Sequence, residues 1–146
     1  MLINHETIRI EWGDCDPAGI VYFPRYVEYF DRCTRALFER AGIFKRDMLK
    51  IYEIAGIPVV SVKAQFTIPS RYGEDVMVES SISKWGSSSF VVHHRLLKGD
   101  RIAVECFETR VWVVQVQEDP VKYEGRPIPA EVKEKFGEPR KIAERN

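Results

Sequence analysis

The sequence has 146 residues, 45% hydrophobic and 30% charged, which is enough apolar matter for one buried core and excludes a wholly disordered chain. Its 22 Lys and Arg balance 22 Asp and Glu, so no global charge points to nucleic acid or an anionic membrane, although neutrality still permits a local basic rim. Three widely spaced cysteines, Cys15, Cys33 and Cys106, form no CxxC pair and no disulfide framework, a pattern that favours a reducing compartment.

In chain order, residues 3–12 read as a first strand, with Ile8, Ile10 and Trp12 alternating against Thr7, Arg9 and Glu11. The loop GDCDPAG, residues 13–19, then breaks the pattern with two glycines, a proline and two aspartates. Residues 24–41 follow as a helix. Val27, Phe30, Thr34, Leu37 and Ala41 share one face, widened by Tyr26, Tyr29, Cys33 and Ala36. Pro24 suits the first turn and Gly42 a left-handed C-cap. Glu28 with Arg32 and Asp31 with Arg35 have i,i+4 spacing.

A short second helix is expected over 44–54. Strands follow at about 60–68, 75–84, 88–98 and 101–117, with a two-residue hairpin at Gly99-Asp100. Within the last strand, residues 111–116 are apolar on consecutive positions. This predicts cover on both faces by a helix and a second subunit, with a buried bulge as the alternative. Residues 118–146 read as a tail lying along the surface, with a short helix near 130–136. One α+β domain over 1–146 is expected, an antiparallel sheet packed on one main helix. Residues 1–16 carry no apolar signal core, and no run approaches the roughly 20 residues needed to span a bilayer. The expectation is a cytoplasmic protein without a membrane partner.

The chemistry concentrates in the acidic loop. Asp14 and Asp16 precede the long helix, and amides of residues 20–23 are candidate unpaired donors at its start. A carboxylate beside such donors could attack a carbonyl or activate water without a metal; equally, either aspartate could be a cap. Residue types alone do not choose between Asp14 and Asp16. His93 and His94, adjacent in a strand, should face opposite ways, and no spacing suggests a metal site. A pairing of His with Cys33 or Cys106 has no local support, and buried structural thiols are the simpler reading. The loop matches neither a P-loop nor a dinucleotide turn.

Residues 12–31, W-GDCDPAG-IVYFPRYVEYFD, resemble the 4-hydroxybenzoyl-CoA thioesterases of the hotdog-fold superfamily. So do residues 56–66 and the segment containing Lys84, Trp85 and Ser89 to Val91. The resemblance covers about residues 5–116. It implies a hotdog fold, a curved antiparallel sheet around one long helix, and assembly as homodimers that pair into homotetramers with sites at subunit interfaces. It implies hydrolysis of an aromatic acyl-CoA such as 4-hydroxybenzoyl-CoA, with no cofactor beyond the coenzyme A of the substrate.

By the same resemblance Asp16 is the catalytic carboxylate, as nucleophile or general base. Gly19, Tyr22 and the amide of Phe23 are placed to position the thioester carbonyl. Phe23 stands where related thioesterases have histidine or tyrosine, a change that spares a backbone donor. Arg71, Lys84, Arg95, Arg101, Lys122 and Arg126 are the candidate cations for coenzyme A phosphates. The alternatives are hydrolysis of short-chain acyl-CoA or acyl-carrier-protein thioesters, and a non-catalytic acyl-CoA-binding protein. A binding module has no need of Asp16 beside the carbonyl.

Overall fold

The computed structural model describes residues 1–137. In chain order it contains β1 (Asn4–Arg9), a 3-10 turn (Trp12–Asp14), α1 (Pro24–Arg40), α2 (Lys45–Ile51), β2 (Val59–Phe66), β3 (Asp75–Trp85), β4 (Ser89–Lys98), β5 (Arg101–Val111), β6 (Val113–Gln117), β7 (Lys122–Gly125) and α3 (Ala130–Lys135). Period-two alternation produces a 5-stranded antiparallel sheet in the order β1-β3-β4-β5-β2, and β6 pairs with β7 alone. The long helix against an antiparallel sheet is the arrangement the resemblance implies.

α1 starts on Pro24, whose missing amide hydrogen costs nothing at the first position. It ends on Gly42, at φ +84°, where the Gly42 amide reaches Glu39 O and the Ile43 amide reaches Phe38 O. This double closure satisfies the last carbonyls and lets Ile43 pack beside Phe38. The helix buries Tyr26, Tyr29, Phe30, Cys33, Thr34, Leu37 and Phe38. Val27, expected on that face, is exposed: the stripe follows 26-29/30-33/34-37/38 and places 27 outside it. The expected helix pairs are also replaced. Glu28 accepts from Arg25 at 2.9 Å, and Asp31 accepts from Arg110 of β5 at 2.8 Å.

Three further expectations change. Trp12 is 76% exposed instead of inward-facing, because Ile10 closes onto residues 73–74 and the chain then enters the 3-10 turn. The apolar run 111–116 is not one continuous strand, because β5 ends at Val111 and β6 starts at Val113. The chain bends at Trp112, whose amide bonds Ser88 O, while Val111 and Val113 bond Pro58 O and Gly56 O. The bend buries Trp112 (2% exposed) and its neighbour Val113 together, the consecutive burial that the bulge alternative describes. Finally, the segment after residue 118 does not simply lie along the surface. Ile128, Val132 and Phe136 enter the core, because the amphipathic α3 has an open end of the α1–sheet layer to close. Residues 138–146 of that tail lie outside the described residues.

β2 is only partly covered, with Ala64 packed on the core and Phe66 meeting Tyr26 at 5.4 Å. Val59, Val60, Val62 and Phe66 are exposed on a strand that also forms one edge of the sheet.

Candidate active site

The acidic loop is a small closed hairpin. Cys15 bridges Val21, the Asp16 amide donates to Ile20 O (2.9 Å), and the Gly19 amide donates to Asp16 O (2.9 Å). That last turn needs φ +80° at residue 19, which glycine supplies at no steric cost. The hairpin is stitched to the segment before β3 by Val21 N–H to Ser70 O and by an Ile20–Arg71 bridge.

The two aspartates have different environments. Asp14 Oδ2 accepts the Glu11 amide at 3.0 Å, and its other oxygen lies 3.9 Å from Arg25 Nε. Asp16 Oδ1 accepts the Ala18 amide at 2.8 Å, a local turn made possible by the donor-free Pro17 between them. Its second oxygen has no hydrogen-bond partner among the described residues. Neither aspartate caps α1, whose start carries no side-chain cap: Asp14 forms a capping box with Glu11 on the 3-10 turn, and one oxygen of Asp16 closes a local turn.

At the helix start most amides are already spent. Val21 donates to Ser70 O, Tyr22 to Asp14 O, Arg25 to Tyr22 O and Tyr26 to Phe23 O. Pro24 has no donor. The amides of Ile20 and Phe23 remain without an acceptor among the described residues. Phe23 occupies the N-cap position of the 17-residue α1, where the aligned peptide dipoles favour negative charge. The Tyr22 and Phe23 rings are both exposed and meet edge to face at 5.8 Å. Asp16, Gly19 and Phe23 are thus brought into one loop–helix junction, with the Tyr22 and Phe23 rings on its open surface.

Of the six candidate cations, Arg71 reaches this loop: its Nη1 lies 3.7 Å from where a Cβ on Gly19 would stand. Arg95 and Arg126 are engaged by Glu79 and Glu124, each at 3.0 Å. Lys84, Arg101 and Lys122 sit on β3, β5 and β7. Among the described residues, no group of three or more His, Cys, Asp or Glu is placed to hold a metal ion, and no helix is long and apolar enough to cross a membrane.

One polar cluster escaped the sequence reading. His93 and His94 do face opposite ways: His93 stacks on Phe107 at 4.3 Å, whereas His94 is fully buried against Phe30. His94 Nδ1 lies 2.7 Å from Ser80 Oγ, and Nε2 lies 3.2 Å from Glu108 Oε1 and 3.1 Å from Thr34 Oγ1. A neutral ring protonated on Nε2 satisfies all of these contacts. Thr34 also donates to Glu108, and Arg110 donates to Glu108, to Ile57 O and to Asp31. Burial lowers His94. Burial would raise Glu108, but His94, Arg110 and Thr34 outweigh it and hold the carboxylate below its ordinary range.

Ser80–His94–Glu108 has the connectivity of a hydrolytic triad, but Ser80 and His94 are both 0% exposed, so no substrate meets them. Inward parity on β5, where 104, 106, 108 and 110 share a face, was the signal that could have located the cluster. Cys33 and Cys106 are buried thiols pushed up to about 12 by that burial. Cys106 pairs with His94 in register without becoming a nucleophile.

Comparison with known proteins fits this geometry. A family profile described as the thioesterase-like superfamily matches residues 10–136. The chain is 36% identical over 112 residues to the 4-hydroxybenzoyl-CoA thioesterase of Pseudomonas sp. (strain CBS-3), covering 73% of this chain and 79% of the relative. The solved structure of the thioesterase of that name from that strain superposes with a TM-score of 0.84 at 30% identity, covering 92% of this chain and 99% of the other. A gentisyl-coenzyme A thioesterase superposes with a TM-score of 0.76 at 28% identity, covering 89% and 99%.

Proposed function

The chain belongs to the hotdog-fold thioesterase-like superfamily and is an acyl-CoA thioesterase, and on that premise we propose that it hydrolyses the coenzyme A thioester of a hydroxylated aromatic acid at the loop–helix junction, with Asp16 as the reacting carboxylate. The observation that carries this reading is the division of labour in the loop. Asp14 is consumed by structure, whereas Asp16 keeps one oxygen free within the same short loop that leads to the unspent Phe23 amide.

The thioester carbonyl oxygen docks on the Phe23 N–H, where the start of α1 stabilises the charge that develops as the carbonyl carbon is attacked. Gly19 keeps the approach to the loop free of a side chain, and the Tyr22 and Phe23 rings flank the acyl group. Asp16 either attacks the carbonyl carbon itself or takes a proton from the water that does. In the first route the C–S bond breaks, coenzyme A leaves as thiolate, and water opens the resulting mixed anhydride and restores the carboxylate. In the second, water delivers the oxygen directly. Thiolate is a good leaving group, so neither route requires a general acid.

The aromatic preference rests on the relatives, which are named for 4-hydroxybenzoyl and gentisyl thioesters. Two copies joined through β2 would cover the exposed Val60, Val62 and Phe66 and pair an open strand edge; a homodimer, doubled into a homotetramer, is the assembly proposed. The unpaired thiols of Cys15, Cys33 and Cys106 suit the cytoplasm. Steady-state rates on 4-hydroxybenzoyl-, gentisyl-, benzoyl-, phenylacetyl- and short aliphatic coenzyme A thioesters test the substrate assignment. The hydroxylated aromatic thioesters should give the highest kcat/KM, and a higher value for a short aliphatic thioester would reject the aromatic reading.

A further inference from the structure

The residue two positions before the reacting carboxylate has more contacts than a simple cap requires. Asp14 bridges both ends of the acidic loop. Its Oδ2 holds the Glu11 amide at 3.0 Å, just beyond β1, and its own amide donates to Glu11 O at 3.1 Å. Its carbonyl takes the Tyr22 amide at 2.8 Å, and its other carboxylate oxygen lies 3.9 Å from Arg25 Nε in the first turn of α1. Asp16 and Phe23 lie on either side of this residue: one is inside the loop that it closes, the other directly follows Tyr22, whose amide the Asp14 backbone carbonyl captures.

The strut also rests on a floor. Tyr29, in the second turn of α1, is 5% exposed; it lies close enough to Asp14 for that carboxylate to act on its hydroxyl, although no hydrogen bond of ordinary geometry forms there among the described residues. Burial and then the adjacent Asp14 carboxylate hold this phenol protonated, well above its ordinary value. Asp14 and Tyr29 both line a cleft of about 450 Å³ between β1 and α1. The Asp14 side chain is only 20% exposed, so it is wedged between the loop and the helix and is not a free surface acid.

We propose that Asp14 is a positioning residue for thioester hydrolysis: its side chain, by holding the Glu11 amide, fixes the turn whose backbone carbonyl holds Tyr22, and so sets the distance between the Asp16 carboxylate and the Phe23 amide. The proposal rests on the role assigned to Asp16 above. It touches no substrate, so its loss should appear in turnover while substrate affinity is spared. Displacements of about 1 Å at reacting groups can cost roughly a hundredfold in rate.

Three variants and two readouts test it. Asp14→Ala removes the side-chain bond to the Glu11 amide and leaves the main-chain bond to Tyr22 in place. Asp14→Glu keeps the charge but moves the oxygens outward by one methylene. Asp14→Asn keeps an acceptor for the Glu11 amide. On 4-hydroxybenzoyl-CoA, Asp14→Ala and Asp14→Glu should lower kcat at least tenfold with KM within twofold of the parent, and Asp14→Asn should recover to within about threefold. Amide hydrogen exchange should quicken over residues 11–23 in the Ala and Glu variants and stay parent-like in Asn.

If Asp14→Ala does not fold, Asp14→Glu alone decides the matter. A kcat within twofold of the parent in the folded variants, a rise in KM that matches the loss of kcat, or an Asn variant as impaired as Ala overturns the proposal. An inactive parent, or an Asp16→Asn variant with full activity, would strike the functional reading instead. The exchange measurement would still report whether Asp14 holds the loop.

Discussion

Arg110 Nη2 lies 2.8 Å from Asp31 Oδ1 while Nε of the same guanidinium lies 3.1 Å from Glu108 Oε1, so one side chain fastens the middle of α1 to β5. Its third bond, to Ile57 O at 3.1 Å, holds the approach to β2 as well. Three segments distant in sequence meet at a group that is 7% exposed. Removing it leaves the Glu108 carboxylate buried without its cation. Arg110→Ala should therefore destabilise the fold by about 3–5 kcal/mol, as for other broken buried pairs. Denaturant titration checks this, and a loss below about 1 kcal/mol would show that Glu108 finds another partner or a proton.

Acid should weaken the protein in two stages. Burial holds His94 below its ordinary value of 6.5, so the unfolded chain takes up a proton at a pH where the folded chain does not. Stability is then full above that value and declines as the pH falls below it. Glu108, held below its ordinary 4.5, acts in the same direction at lower pH: its contribution is present above that value and is lost as the pH falls through the folded one. Thermal midpoints measured from pH 8 to pH 4 should be level near neutrality and fall on the acid side. His94→Gln should remove the earlier part of the decline. A midpoint that is unchanged between pH 7 and pH 5 would contradict a neutral buried His94.

Asp16→Asn keeps an oxygen for the Ala18 amide, so the loop should survive the change. What it loses is the charge needed to attack or to accept a proton. Turnover on the best thioester should fall by about 10²–10⁴-fold, with the thermal midpoint and the affinity for a non-hydrolysable thioether analogue little altered. Near-normal hydrolysis by this variant would remove Asp16 from the mechanism.

Assembly should depend on β2. Val60 and Val62 are exposed on an unpaired edge, and charge at such an edge opposes strand pairing. Sedimentation at micromolar concentration should give dimers or larger species. Val60→Glu combined with Val62→Lys should give monomers with little activity. A monomeric parent protein would exclude the β2 interface.

Much of this architecture could be read from residue order. β3 and β4 fall within about two residues of their expected limits, because alternation is strong there and Trp85-Gly86 and Gly99-Asp100 punctuate it. α1 carries its own start and stop in Pro24 and Gly42. Trp12 could not be placed the same way. The two-residue period continues past Ile10, and only the hydrogen bonds to residues 73–74 end the strand.

Residue types alone were equally silent on Asp14 against Asp16, and only the family resemblance named Asp16: both are aspartates two positions apart, and they differ in which neighbours consume their oxygens. The Thr34–His94–Glu108 cluster joins residues 60 and 74 positions apart. The inward parity of each strand was visible, but which polar residue would meet which was set by the packing of α1 over the sheet.

Phe136 has a consequence for the order in which the molecule is made. Its ring packs on Phe38 at 4.8 Å and on Trp85 at 5.4 Å, and its carbonyl receives the Leu2 amide at 2.8 Å. A nascent chain thus holds its first strand and central helix long before the piece that seals them has emerged from the ribosome. Until residue 136 arrives, one end of the hydrophobic layer stays wet.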